Sequence, residues 1–327
     1  MDAFRGATVL AMMATHTTRV VPVGAGGDGL RAQASLFEPA ISVAFLWLVG
    51  WSLERAYARA SHSGTAWRTW YARALLRAAT LYALGVLLFV LQYGVAAPYV
   101  WASPDVLGTI AWAIVVLGTL LPLGIWGLIG GTVAALALTA LLEAIAAHLS
   151  GVNAGPGAAL PLVGSACAGA CHGLTSRRRP TSGLRWAVLG VTVGSLGWGL
   201  PGPLVDVHRA LHSAADAPWF WNQTAKGMLV YGAGVALVAV AFARWSSPSK
   251  AWAPLELLGR HALVGYVGHL LVLGVGDRWL GLPSGWSIVV SVALGLGAMF
   301  TAVAMVLESP SLGRARRTAS HHLGLRL

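Results

Sequence analysis

The chain has 327 residues, of which 57% are hydrophobic and 10% are charged, whereas soluble domains carry about 25% charged residues. Together with 41 Gly and 15 Trp, this composition excludes a water-soluble fold and predicts a polytopic membrane protein, in which small residues let helices pack closely and indole rings lie at the interface. A net charge of +11 would suggest nucleic-acid binding in a soluble chain. Here the basic residues fall mostly in short loops between apolar runs, so we expect no nucleic-acid partner.

Apolar runs long enough to cross a bilayer, about 20 residues each, recur along the whole sequence. They predict an all-α protein with about ten transmembrane helices, and residues 1–327 read as a single transmembrane domain. The predicted spans are 3–23, 36–56, 72–95, 106–123, 125–147, 157–175, 184–204, 219–243, 254–274 and 286–307.

The arginines in the loops predict the orientation, because short cytoplasmic loops carry the excess of positive charge. Basic residues concentrate in segments 55–73, 177–185, 244–250 and 314–326, whereas the loops on the other side contain few. With ten spans, this alternation puts both termini in the cytoplasm. We expect a multi-pass protein of the inner (plasma) membrane, surrounded by membrane lipids.

Ionisable residues inside a bilayer are functional candidates by default, because each is costly unless it faces a partner or a cavity. In the first span, His16 follows Arg5 by eleven residues; at about 100° per residue it returns to within about 20° of the same face, about 16 Å deeper. Asp2 lies on the same side of the predicted helix. Two interpretations stay open: a functional stripe, or an interfacial Asp2–Arg5 pair with a histidine satisfied by a neighbouring carbonyl.

The third span begins with Arg73 and Arg77, an i, i+4 pair that can hold a phosphate-like anion from two points. Arg77 lies a full turn inside the apolar run, where the positive-inside rule does not explain it. Together with Arg55, Arg59 and Arg68, this pair forms a group of cytoplasmic arginines that we call the basic mouth. Trp67 and Trp70 are available to stack beside it.

Two further sets of residues carry less information. Glu38 begins the second span, where an acid either acts in a site or lies in the headgroup region. His261 and His269 differ by about 80° in helical direction, too far for one helix to present both to a metal. Since no ligand spacing is recognisable, we expect no metal site.

Several motifs resemble the membrane acyltransferases related to heparan-alpha-glucosaminide N-acetyltransferase, within the wider group that includes acyltransferase-3 proteins. Their order along most of the chain matches that family, although His261 and Ala262 replace the usual Asn and Ser of the late motif. The matching pieces are Asp2-Ala3-Phe4-Arg5-Gly6 with Met12, Met13 and His16; Phe45 to Leu53; Arg73 and Arg77 with Leu84-Gly85; Asp105-Val106-Leu107; and Gly259-Arg260-His261-Ala262-Leu263 through Tyr266 to His269.

The resemblance implies an enzyme that takes an acyl group, commonly acetyl, from cytoplasmic acyl-CoA and passes it to a hydroxyl or amine of a glycan or other cell-envelope acceptor. His16 would then serve as base or nucleophile, with Glu38 assisting from the outer side. Arg73 and Arg77 would hold the CoA phosphates, and Asp2 and Arg5 would order the cytoplasmic side of the site. A transporter or flippase, or a structural or sensory membrane protein, are the alternatives.

Overall fold

A computed structural model describes residues 1–20, 27–93, 105–145, 149, 152, 158–178, 183–199, 224–245, 252–279 and 286–309. The regular elements in these ranges are all helices. They are α1 (Asp2–Val20), α2 (Gly27–His62), α3 (Trp67–Tyr93), α4 (Asp105–Leu120), a 3-10 turn (Leu121–Leu123), α5 (Gly124–Ala144), α6 (Ala159–Arg178), α7 (Gly183–Gly199), α8 (Ala225–Trp245), α9 (Ala253–Arg260), α10 (Ala262–Trp279) and α11 (Trp286–Leu307).

Each predicted span overlaps a helix, so the all-α prediction is confirmed for the described residues. Two boundaries follow from local backbone geometry. The predicted spans 106–123 and 125–147 are separated by the 3-10 turn, where Pro122 is followed by Gly124 at φ 68°. Only glycine adopts that conformation readily, which ends one helix and starts the next. The predicted span 254–274 is interrupted at His261, between α9 and α10.

Three helical stretches are long and apolar enough to cross a membrane: Trp67–Leu91, Val106–Ala144 and Ala225–Ala243. The helices over Ala262–Leu273 and Ser291–Leu307 are apolar but shorter in the described part of the chain. The number of spans and the side of each terminus therefore stay predictions. Several arginines that support the predicted orientation lie outside the described residues, among them Arg314, Arg316 and Arg317.

The chain divides into two compact units. The first comprises residues 1–34 and 242–327, and in it α1 packs against α9, α10 and α11. Two glycines bring α1 and α9 into backbone contact: a Cβ on Gly6 would collide with the Leu255 carbonyl, and one on Gly259 would collide with the Asp2 carbonyl. This is the small-residue packing expected where helices associate in a membrane.

The second unit comprises residues 35–241, in which α3 packs against α4 and α6 packs against α4 and α5. Helices α2 and α6 approach through another pair of glycines: a Cβ on Gly50 would meet the Ala166 carbonyl, and one on Gly169 would meet the Trp47 carbonyl. Glu143 on α5 accepts a hydrogen bond from the Ala225 backbone N–H at 2.7 Å and so satisfies an orphan donor at the start of α8.

Candidate functional site

The first unit brings two histidines together from opposite ends of the sequence. His16 Nδ1 on α1 lies 2.8 Å from His269 Nε2 on α10, and the two rings stack at 27° with their centroids 5.1 Å apart. His269 is fully buried, whereas His16 is half-buried. A pair of imidazoles at this distance shares one proton, which makes it a possible acid–base site.

The surroundings of the pair fix the His269 ring. Its Nδ1 lies 2.9 Å from the Gly265 carbonyl oxygen one turn earlier on α10. The Tyr266 ring contacts it edge-on, at 5.7 Å between centroids and 80° between planes. Gly265 itself faces Val9 and Met13 of α1, where a Cβ would lie 3.1 Å from the nearest methyl carbon. The backbone of α10 therefore lies close enough to α1 for the two imidazoles to meet.

Arg5 and Asp2 form the interfacial pair that the spacing on the predicted helix allowed. Arg5 Nη1 donates to Asp2 Oδ1 at 2.8 Å and to the Gly259 carbonyl at 3.3 Å. The guanidinium therefore ties the start of α1 to the end of α9, beside the contact that Gly6 and Gly259 make possible. His16 also contacts the C-terminal helices of this unit, where its ring lies against the His269 imidazole.

The other predicted site residues lie in the second unit. Glu38 is half-buried on α2, directly before Pro39. Arg73 and Arg77 are exposed on α3, next to Ala74 and Ala78, which pack against α4. Their roles in chemistry and in binding CoA stay predictions.

The two tryptophans predicted to stack beside the basic mouth already have partners within the protein. Trp67 lies parallel to Tyr71 at 5.4 Å and donates its indole N–H to the Gly118 carbonyl at 2.9 Å. Trp70 lies against Tyr57 with 4.9 Å between ring centroids. These contacts join α3 to α4 and to α2.

A buried carboxylate was not identified from the sequence. Glu54 on α2 is 2% exposed, and its Oε1 lies 3.2 Å from Arg177 Nη2 on α6. Arg55 Nε lies 4.0 Å from the other carboxylate oxygen. The Arg55 guanidinium also lies over the Trp51 ring and donates to Ser176 Oγ at 3.4 Å. The sequence predicts a topology signal at Arg177 and a part of the basic mouth at Arg55, whereas both also compensate a buried charge.

Next to this ion pair, two tryptophan rings of the second unit lie against His172 on α6. Trp47 donates its indole N–H to His172 Nδ1 at 3.3 Å, and Trp186 lies 5.0 Å from the same imidazole between centroids. Trp186 also donates to Thr175 Oγ1 at 2.8 Å. The cluster joins α2, α6 and α7.

Besides the buried His269, the predicted late motif supplies one partner of an ion pair, Arg260. Arg260 donates to Glu308 through Nε at 2.8 Å and Nη2 at 3.0 Å, and His261 Nε2 lies 3.2 Å from the same carboxylate. The hydrogen bond from Arg260 is the main reason why the pKa of Glu308 lies below its ordinary value, and the hydrogen bond from His261 lowers it further. His261 therefore has a surface partner and lies at the break between α9 and α10, whereas His269 lies within α10.

Candidate metal ligands do not cluster in the described ranges: no group of three or more His, Cys, Asp or Glu side chains could hold an ion there. His16 and His269 pair with each other, and Cys167 and Cys171 are buried thiols on α6.

Comparison with known proteins supports the resemblance predicted from the motifs. Residues 1–155 match the family model described as heparan-alpha-glucosaminide N-acetyltransferase, catalytic. The match covers α1 to α5, including His16, and just under half of the 327 residues; His269 lies outside it. No curated protein sequence matches the chain. Residues 1–155 are therefore similar to the catalytic region of heparan-alpha-glucosaminide N-acetyltransferase.

Proposed function

We propose that the protein is an integral membrane acyltransferase that moves an acetyl group from cytoplasmic acetyl-CoA to an amine or hydroxyl of a glycan in the cell envelope. The observation that carries the proposal is the hydrogen bond between His16 and His269, because it joins a histidine of the family-matched segment to a second, fully buried imidazole. The family name supports an amino sugar as acceptor and an acetyl group as cargo.

His16 acts as the general base in this proposal. Its imidazole takes a proton from the acceptor as the amine or hydroxyl attacks the thioester carbonyl. The new C–N or C–O bond forms, the C–S bond breaks, and the departing CoA thiolate takes up the proton that His16 received. A neutral imidazole suits both transfers, because its ordinary pKa lies close to neutral pH.

Acyl-CoA is a substrate here and not a resident cofactor. Its phosphates need cationic partners, and Arg73 and Arg77 are exposed and spaced for one anion. Arg5 is held by Asp2 and by the Gly259 carbonyl, so in this proposal it keeps α1 in register with α9 while the α3 pair binds the donor.

The test follows transfer from labelled acetyl-CoA to methyl α-glucosaminide and to envelope glycans with the purified, lipid-reconstituted protein. His16→Ala should lower transfer by roughly 10²–10⁴-fold, the usual contribution of a positioned base, with CoA binding and melting temperature close to those of the wild type. His62→Ala, which removes an exposed histidine at the end of α2, serves as the matched control and should transfer normally.

Two results would contradict the proposal. One is a folded His16→Ala protein that retains transfer within about tenfold of the wild type, below the range expected for a lost base. The other is absence of transfer to every envelope acceptor while the reconstituted protein moves a solute across liposomes, which would favour the transporter alternative.

A further inference from the structure

We infer that His269 is a positioning residue that fixes the tautomer of His16, so that His16 Nε2 is the nitrogen that accepts the proton during acyl transfer. This inference rests on the proposed function for its chemical meaning. The placement of protons within the pair is a property of the resting protein and can be measured without any reaction.

The argument begins at the Gly265 carbonyl. This oxygen accepts hydrogen bonds and has no proton to donate. Since it lies 2.9 Å from His269 Nδ1, the proton between them belongs to the nitrogen. A bare Nδ1 would place two lone pairs against each other at that distance. His269 therefore carries Nδ1–H.

The second step concerns the charge of His269. A neutral imidazole has one N–H and one lone pair, so a neutral His269 with Nδ1–H accepts hydrogen bonds at Nε2. The doubly protonated form would bury a full positive charge, because His269 is 0% exposed. A buried charge is costly unless it is paired, and the groups described around this ring include the backbone of Gly265 and Tyr266, the tyrosine ring and the His16 imidazole.

The third step transfers the constraint to His16. Because His269 Nε2 accepts, the 2.8 Å contact requires His16 Nδ1 to be the donor. A neutral His16 that donates through Nδ1 has its lone pair on Nε2. Neutral histidine in water favours the opposite tautomer, with the proton on Nε2, so the bond from His269 reverses the intrinsic preference.

The consequence for acyl transfer is directional. The Nδ1 edge of His16 faces His269, and Nε2 is the basic nitrogen. The order carbonyl, His269, His16, acceptor gives His269 the orienting function that a carboxylate performs for the histidine of a Ser-His-Asp triad. Unlike a carboxylate, His269 is neutral, so it sets the tautomer without adding negative charge to the buried site.

The first experiment measures the tautomer directly. In wild-type protein labelled with ¹⁵N-histidine, held at about pH 8 so that ordinary histidines are neutral, nitrogen NMR distinguishes protonated from bare ring nitrogens. The signals of His16 are assigned by their disappearance in His16→Ala. We expect Nδ1–H and bare Nε2 for His16 in the wild type. Nε2–H on wild-type His16 would overturn the inference, whether or not the protein transfers acyl groups.

The second experiment uses three variants. His269→Leu removes the acceptor, and should lower kcat about tenfold or more because the basic nitrogen becomes protonated, with KM for acetyl-CoA unchanged. His269→Gln offers a side-chain carbonyl near the position of Nε2, and should recover part of kcat and keep Nδ1–H on His16. His172→Leu removes a different buried histidine, in the second unit, and should keep kcat.

These variants separate the inference from the proposed function. If the wild type transfers no acetyl group, the proposed function fails, and the NMR result on the wild type still decides the tautomer. If a folded His269→Leu keeps wild-type kcat, or raises KM for acetyl-CoA without lowering kcat, His269 does not position His16. Should His269→Leu fail to fold, the ¹⁵N spectrum and kcat of His269→Gln make the same decision.

Discussion

Glu54 on α2 and Arg177 on α6 form an ion pair beside the glycine contact that joins these helices, with 3.2 Å between Glu54 Oε1 and Arg177 Nη2. The two side chains differ in burial: the carboxylate is 2% exposed and the guanidinium 34%. Because a buried charge without a partner is costly, the two ends of this pair are not equivalent for stability.

Arg177→Ala should therefore destabilise the protein more than Glu54→Gln does. The arginine variant leaves a buried carboxylate whose other oxygen lies 4.0 Å from Arg55. Removing the partner of a buried charge costs roughly 3–5 kcal/mol, and we expect the lower end because Arg177 is partly solvated. Thermal unfolding of the reconstituted protein measures the loss.

Arg260→Ala is the matched control, because it breaks an Arg–Glu pair in which both side chains are exposed. Exposed pairs contribute little, so its melting temperature should equal that of the wild type. Equal melting temperatures for Arg177→Ala and Arg260→Ala would show that the Glu54 pair does not stabilise the second unit.

The glycines of α1 and α9 lead to a second prediction. In Gly259→Ala, the added Cβ would collide with the Asp2 carbonyl, so α9 must move away from α1 and the hydrogen bond from Arg5 to the residue 259 carbonyl must lengthen. We expect a lower melting temperature and lower acyl transfer together.

Gly295→Ala on α11 provides the control in the same unit, since nothing lies within 4 Å of its added Cβ. There the substitution should stabilise the helix slightly, by up to about 1 kcal/mol, the difference in helix propensity. If Gly259→Ala melts no lower than Gly295→Ala, the close approach of α1 and α9 is not required.

The helices and the Asp2–Arg5 pair could be predicted from the sequence because both depend on local spacing. Apolar runs define helices, and residues three apart on a helix are neighbours. The glycines of the matching motifs have a physical explanation as well. Gly6, Gly50 and Gly259 all occur in these motifs, and each lies where two helix backbones meet.

The partner of His16 could not be derived in the same way, because 253 residues separate it from His269. The helical angle between His261 and His269 tested only whether one helix could bind a metal, and it gave no information about a contact with another helix. The late motif, which ends at His269, was the available signal. Glu54 could not be identified for a related reason: 123 residues separate it from Arg177, and the positive-inside rule alone accounts for basic residues near span ends.

The orientation of the chain supplies a third prediction. The arginine-rich segments predict that residues 177–185 and both termini lie in the cytoplasm. Pro180→Cys and Ser320→Cys should therefore resist a membrane-impermeant thiol reagent applied to intact cells and react after permeabilisation. The natural Cys167 and Cys171 are buried, and the unsubstituted protein controls for them. Labelling of either introduced cysteine from outside would reverse the orientation.

The last prediction concerns the donor site. Arg73 and Arg77 are exposed on one side of α3, and a hydrogen bond to a charged group contributes about 1.5–3 kcal/mol. Arg77→Ala should then weaken CoA binding roughly tenfold to a hundredfold, as measured by calorimetry with CoA alone. Arg316→Ala removes a basic residue near the C-terminus and should bind CoA as the wild type does. Because Arg77 lies on the exposed face of α3, its loss should leave the contact of Ala74 and Ala78 with α4, and hence the melting temperature, unchanged. Unaltered CoA affinity in folded Arg77→Ala would mean that the α3 pair reports topology and that the donor phosphates bind elsewhere.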